Sequence, residues 1–91
     1  MKMKRRVHIK IKGRVQGVFF RVALKEKAKA LHIQGWVKNA GDDVEAVFEG
    51  ENENIKHLLE FCIIGPKGAK VTGIDIDEEA FLDGFTDFTQ E

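Results

Sequence analysis

Val7-His8-Ile9-Lys10-Ile11-Lys12-Gly13-Arg14-Val15-Gln16-Gly17-Val18-Phe19-Phe20-Arg21 is the stretch on which the fold of this chain turns. Val7, Ile9 and Ile11 alternate with His8, Lys10 and Lys12, the period-two pattern of a strand with one buried face. A glycine-punctuated loop over 13–20 follows, and a helix opens at about Arg21. The loop holds no carboxylate and ends in an arginine at the first helical turn. Backbone N–H groups left free at a helix start, joined by a guanidinium, make an anion site. The plainer alternative is a strand-to-helix connection whose glycines only permit unusual dihedrals. Arg21 favours the first reading, because positive charge at a helix start is disfavoured unless an anion sits there.

Outward from this unit, Val22-Ala23, Lys25 to Lys29 and Ala30-Leu31 read as a basic amphipathic helix ending near His32. Gln34 to Asn39, with Trp36 and Val37, is a second strand, and Ala40-Gly41-Asp42-Asp43 is a turn by composition. Val44, Ala46 and Phe48 then alternate with Glu45, Val47 and Glu49, giving a third strand hairpinned to the second. After residues 50–53, Ile55, Leu58, Leu59, Cys62 and Ile63 follow the spacing of a helical apolar face, which Gly65-Pro66 ends. Val71 to Asp77 is a fourth strand, and Phe85 to Thr89 is expected as a short edge strand.

The order β-α-β-β-α-β predicts an α+β, ferredoxin-like split β-α-β sandwich. Two helices would pack on one face of a mostly antiparallel sheet of four or five strands. We expect a single domain over 1–91, with residues 1–5 as a flexible basic tail. In this topology the first two strands run parallel with the third between them, so their C-terminal ends share one sheet edge, roughly 10 Å apart. The loop 13–20 leaves one of those ends and Asn39 closes the other. On sequence alone Asn39 reads more readily as an ordinary turn residue than as a catalytic one.

Ninety-one residues suffice for one core, and 43% hydrophobic with 33% charged content is ordinary for a globular protein. Net charge is zero, yet residues 1–41 carry 12 Lys/Arg against one acid (+11), and residues 42–91 carry 3 Lys against 14 acids (−11). Such a basic half points either to anionic partners or to acidic and basic strands laid side by side. The single cysteine, Cys62, rules out an intrachain disulfide and falls on the apolar stripe of the second helix, so it reads as core. It fits a reducing compartment. No apolar run is long enough for a membrane helix, and the basic start lacks the apolar segment of a signal peptide. A cytoplasmic protein without a membrane partner is expected. His8, His32 and His57 fall on different elements without ligand spacing, so no metal is expected. Trp36 and Phe48 are expected as core anchors.

Gly13-Arg14-Val15-Gln16-Gly17-Val18-Phe19-Phe20-Arg21, then Gly35-Trp36-Val37-Lys38-Asn39 and Val44-Glu45-Ala46-Val47-Phe48-Glu49-Gly50, resembles the acylphosphatase family, and Gly65-Pro66-Lys67-Gly68-Ala69-Lys70-Val71 extends the match. The resemblance implies hydrolysis of the carboxyl–phosphate bond of a small-molecule acyl phosphate to a carboxylate and inorganic phosphate. It places the phosphoryl group on the amides of Gln16, Gly17, Val18, Phe19 and Phe20 and on Arg21. Asn39 is implied to orient the attacking water. No metal, cofactor or phosphoenzyme is implied, and a monomer is expected. Three departures are visible: His32 stands where a glycine commonly ends the first helix, Phe19 replaces a glycine found in many relatives, and the C-terminus lacks the usual basic or aromatic last residue.

Other functions on the same topology are a nucleic-acid-binding module, suggested by the basic first half, and a regulatory domain that only binds a phosphate ligand. RNA binders of this fold usually show exposed aromatics on the central strands. The outward positions expected here are His8, Lys10 and Lys12 beside Glu45 and Glu49, which makes nucleic acid a poor fit.

Overall fold

The computed structural model describes residues 3–17 and 19–91. Its elements are β1 (Lys4–Arg14), α1 (Phe20–Ala30), β2 (Gln34–Ala40), β3 (Asp43–Glu51), α2 (Asn52–Ile64), β4 (Lys70–Glu79) and β5 (Phe88–Gln90). The sheet order is β4-β1-β3-β2-β5, with antiparallel pairing except for β5, which runs parallel to β2. This is the ferredoxin-like arrangement of two helices on a five-stranded sheet. β3 lies between β1 and β2, as the split β-α-β topology requires.

Strand alternation decides which side chains meet the helices. Val7, Ile9 and Ile11 of β1, Val37 of β2, and Val44, Ala46 and Phe48 of β3 are fully buried. They form one core with Phe20, Leu24 and Ala28 of α1 and Ile55, Leu58 and Cys62 of α2. Each large aliphatic or aromatic side chain so buried stabilises the fold by about 1.5–3 kcal/mol. Burial also pushes the Cys62 thiol well above its ordinary pKa, which suits a packing role.

α1 ends by a Schellman closure: Ile33 N–H donates to Ala28 O at 2.8 Å and His32 N–H to Lys29 O at 3.1 Å. His32 takes the left-handed conformation this needs, with φ 57°, so histidine here fills the conformational role that a glycine commonly takes.

Two expectations need correction. Of the expected tail over 1–5, residues 1–2 lie outside the described residues, and 3–5 are not a tail: Lys4 and Arg5 of β1 pair with Glu51 and Gly50 of β3, and Met3 O accepts from Asn52 N–H at 2.8 Å. Arg5 is also held by Glu78 and by Asn52 Oδ1, so the acidic second half of the chain captures this basic start. Trp36 is not a core anchor. Gly35 and Val37 take the helix-facing side of β2, which turns Trp36 to the opposite face, half-buried under Lys38 Nζ at 5.1 Å from its ring centroid.

On that opposite face, acids and bases interleave. His8 pairs with Glu45 at 2.5 Å, Arg6 with Glu79 at 2.8 Å and Lys12 with Asp75 at 3.2 Å. The +11 and −11 halves of the sequence thus lie against each other in neighbouring strands.

Candidate active site

The end of β1 and the loop after it are each shaped by a glycine. At Gly13 the β1–β4 register shifts, and a Cβ there would come within 2.1 Å of Lys70 O, so no side chain fits. Gly17 has φ 72° and nothing within 4 Å of where a Cβ would stand, so its backbone faces open space. Phe19, also left-handed, is the N-cap of α1, which has no side-chain cap and no acid in its first turn. The first helical bond runs from Ala23 N–H to Phe19 O at 3.0 Å. The N–H groups of Phe20, Arg21 and Val22 precede it and point out of the helix start. They border a cavity of about 310 Å³ lined by Gly17, Phe19, Arg21 and Gln90, among others.

Arg21 is oriented from an unexpected quarter. Its Nη1 donates to the main-chain oxygen of Glu91, and Glu91 N–H in turn donates to Val37 O at 2.8 Å. Arg21 is thereby tied to the strand next to β2, one strand spacing (about 5 Å) from the segment that ends in Asn39. Asn39 is exposed, on the same face of β2 as buried Val37, and it forms a row across the sheet with Val44 and Ile11. It is not on the wall of the cavity itself.

Gln16 provides the second tie. Its side-chain Nε2 donates to Gly41 O at 2.7 Å and to Asp43 O at 2.9 Å. The carboxamide is thus engaged with the turn that follows Asn39, leaving the backbone N–H for any anion in the loop. Phe20 divides its roles similarly: its ring is buried and edge-on to Phe61 at 6.2 Å, while its amide opens the helix. Gln16, Gly17, Phe19, Phe20 and Arg21 therefore converge on one cavity, with Asn39 on the same sheet edge. Val18 lies outside the described residues. The contributions of Gln90 and Glu91 were not legible, because only the parallel pairing of β5 carries them there.

An uncapped helix start, open loop amides and an arginine suit a phosphoryl dianion. Over residues 7–90 the sequence matches the family model for acylphosphatase. An acylphosphatase of Syntrophus aciditrophicus is 44% identical over 94% of this chain and 91% of its own length. One of Methylococcus capsulatus is 46% identical over 92% of each chain. The structure of a Coxiella burnetii acylphosphatase superposes with a TM-score of 0.91 at 38% identity, covering 97% of this chain and 93% of that one. The chain belongs to the acylphosphatase family. It is accordingly an enzyme, and its activity is acyl phosphate hydrolysis. No helix among the described residues is long and apolar enough to cross a membrane.

Proposed function

We propose that the chain hydrolyses acyl phosphates by holding the phosphoryl group on the loop and helix-start amides and on Arg21, while Asn39 orients the attacking water. The carrying observation is the meeting of uncapped α1, the open Gly17 backbone and Arg21 at one cavity, on the sheet edge where Asn39 stands. Water oxygen bonds to phosphorus as the bond from phosphorus to the acyl oxygen breaks. The carboxylate leaves with the bonding pair, and the water's proton passes to a phosphoryl oxygen.

A carboxylate is a good leaving group, so positioning and charge stabilisation carry the reaction, and no side-chain nucleophile is needed. The guanidinium offers planar paired donors that match phosphoryl oxygens. Substrate is then a small acyl phosphate, with inorganic phosphate released. The sheet's open face supports this reading over a nucleic-acid platform, since Glu45 and Asp75 there already pair with the basic side chains.

The test is loss of benzoyl phosphate in excess chelator, with and without competing inorganic phosphate, for the native protein and Asn39→Ala. Chelator-resistant turnover inhibited by phosphate is expected. Asn39→Ala should lose roughly 10²-fold in kcat while phosphate still inhibits, because the lost interaction belongs to the water. No turnover in the native protein overturns the proposal, and native kcat in Asn39→Ala removes that residue from it.

A further inference from the structure

Phe19 breaks two folding rules at once. Its ring is 80% exposed, although an aromatic this size normally gains from burial. Its backbone is left-handed, with φ 59° and ψ 27°, a conformation in which a bulky side chain is an outlier. Glycine at this position would relieve both, and such departures concentrate where ligands bind. The ring stands at the rim of the cavity that holds Gly17 and Arg21, and Val22, one turn further along α1, is 38% exposed on the same cavity wall. The other large exposed apolar side chains among the described residues lie elsewhere, just before β1, on α2, on β4 and in the segment after β4.

An acyl phosphate has a charged end and an organic end. With the phosphoryl group on the amides and Arg21, the acyl group extends toward the cavity mouth, where Phe19 and Val22 are the apolar surface offered. We infer that Phe19, assisted by Val22, forms an acyl-binding shelf that favours acyl phosphates with aromatic or extended apolar acyl groups over small ones. This rests on the phosphoryl site proposed above. An aromatic acyl group stacks on the Phe19 ring and both leave water, gains that an acetyl group is too small to collect.

The experiment is the ratio of kcat/KM for benzoyl phosphate to that for acetyl phosphate in the native protein, Phe19→Gly, Phe19→Ala and Phe19→Trp. A change in loop backbone acts on both substrates through the shared phosphoryl group and cancels in the ratio. Removing the ring should lower the ratio about ten-fold in both Phe19→Gly and Phe19→Ala, chiefly through KM for benzoyl phosphate, and Phe19→Trp should keep it. An unchanged ratio in Phe19→Gly and Phe19→Ala overturns the shelf while leaving the phosphoryl site standing. A native protein that hydrolyses neither substrate overturns both.

Discussion

The molecule builds two anion cradles from the same parts, and they differ in who supplies the anion. On the open face of the sheet, the Glu49 carboxylate accepts from the amides of Leu82 and Gly84, each at 2.9 Å, and from Arg6 Nη1 at 3.3 Å. Arg6 also lies on the Phe85 ring, with its guanidinium 4.9 Å from the centroid. At the sheet edge, the amides after Gly13 and the guanidinium of Arg21 face a solvent-open cavity, and the loop carries no carboxylate. The first cradle is an internal clasp, fastening the 80–86 segment across the sheet with a glutamate that is 1% exposed. The second holds the same chemistry toward solvent. Arg21 too has an acceptor from the chain, the main-chain oxygen of Glu91, but among the described residues no side-chain carboxylate reaches the amides of its loop. Two amides and an arginine therefore do not define function; whether a side-chain carboxylate of the chain fills them does.

The comparison breaks or holds on exchanging the two arginine-anion partners by mutation. Glu49→Ala leaves two amides and Arg6 without their shared acceptor, and should cost about 2–4 kcal/mol of unfolding free energy. For a domain of this size that lowers the melting temperature by roughly 10 °C or more. Arg21→Ala should do the reverse: melting within a few degrees of native, but kcat/KM down by about 10²–10³-fold and the thermal stabilisation by inorganic phosphate lost. Glu49→Ala, where still folded, should keep that phosphate stabilisation. Calorimetry with and without phosphate reads melting and phosphate stabilisation in both variants, and a steady-state assay reads kcat/KM. Equal destabilisation by both variants would erase the distinction between clasp and site.

A smaller effect sharpens it through pH. Burial pushes the Glu49 carboxyl up, but the Leu82 and Gly84 amides and the Arg6 guanidinium outweigh burial and hold it below the ordinary carboxylate range. A depressed native pKa stabilises the fold above the unfolded-state pKa, about 4.3 for glutamate, and that stabilisation disappears as pH falls through the native value. The melting advantage of the native protein over Glu49→Gln should therefore be full near neutrality and shrink below about pH 4. Glu45, held low chiefly by its hydrogen bond to His8, adds acid sensitivity that both proteins share and that drops out of the difference. A difference independent of pH would mean that Glu49 acts by shape rather than charge.

The contrast also explains what could be read in the chain beforehand. Element order, sheet topology, the core of β1 and β3, and the convergence of the loop with Arg21 all follow from local periodicity and helix-start chemistry, which are written in adjacent residues. Trp36 misled because hydrophobicity was weighed before strand parity, and parity with Val37 places it outside. The basic start misled because its partners, Glu51 and Glu78, are dozens of residues away. Glu49 read as an ordinary outward carboxylate for the same reason: the amides that bury it belong to an irregular segment without periodicity. The orientation of Arg21 by Glu91 likewise depends on an edge strand of three residues. Local signals found the cradle open to solvent, whereas the filled one was a long-range product of the fold.

The smallest predicted effect concerns how the open cradle is kept in register with Asn39. Gln16 joins the loop to the 41–43 turn through two bonds of ordinary length, so its side chain serves the turn, while the proposed reading assigns its backbone N–H to the anion. Gln16→Ala keeps the backbone amide and removes only the tie. With each such bond contributing about 0.5 kcal/mol, kcat should fall about five-fold, and the inhibition constant for phosphate should rise by less than that. The asymmetry separates a positioning role from a binding one: loosening the turn displaces the water held at Asn39 without disturbing the phosphoryl donors. If phosphate inhibition weakens five-fold while kcat holds, the Gln16 side chain belongs to the anion cradle, and the two halves of the site are not joined through it.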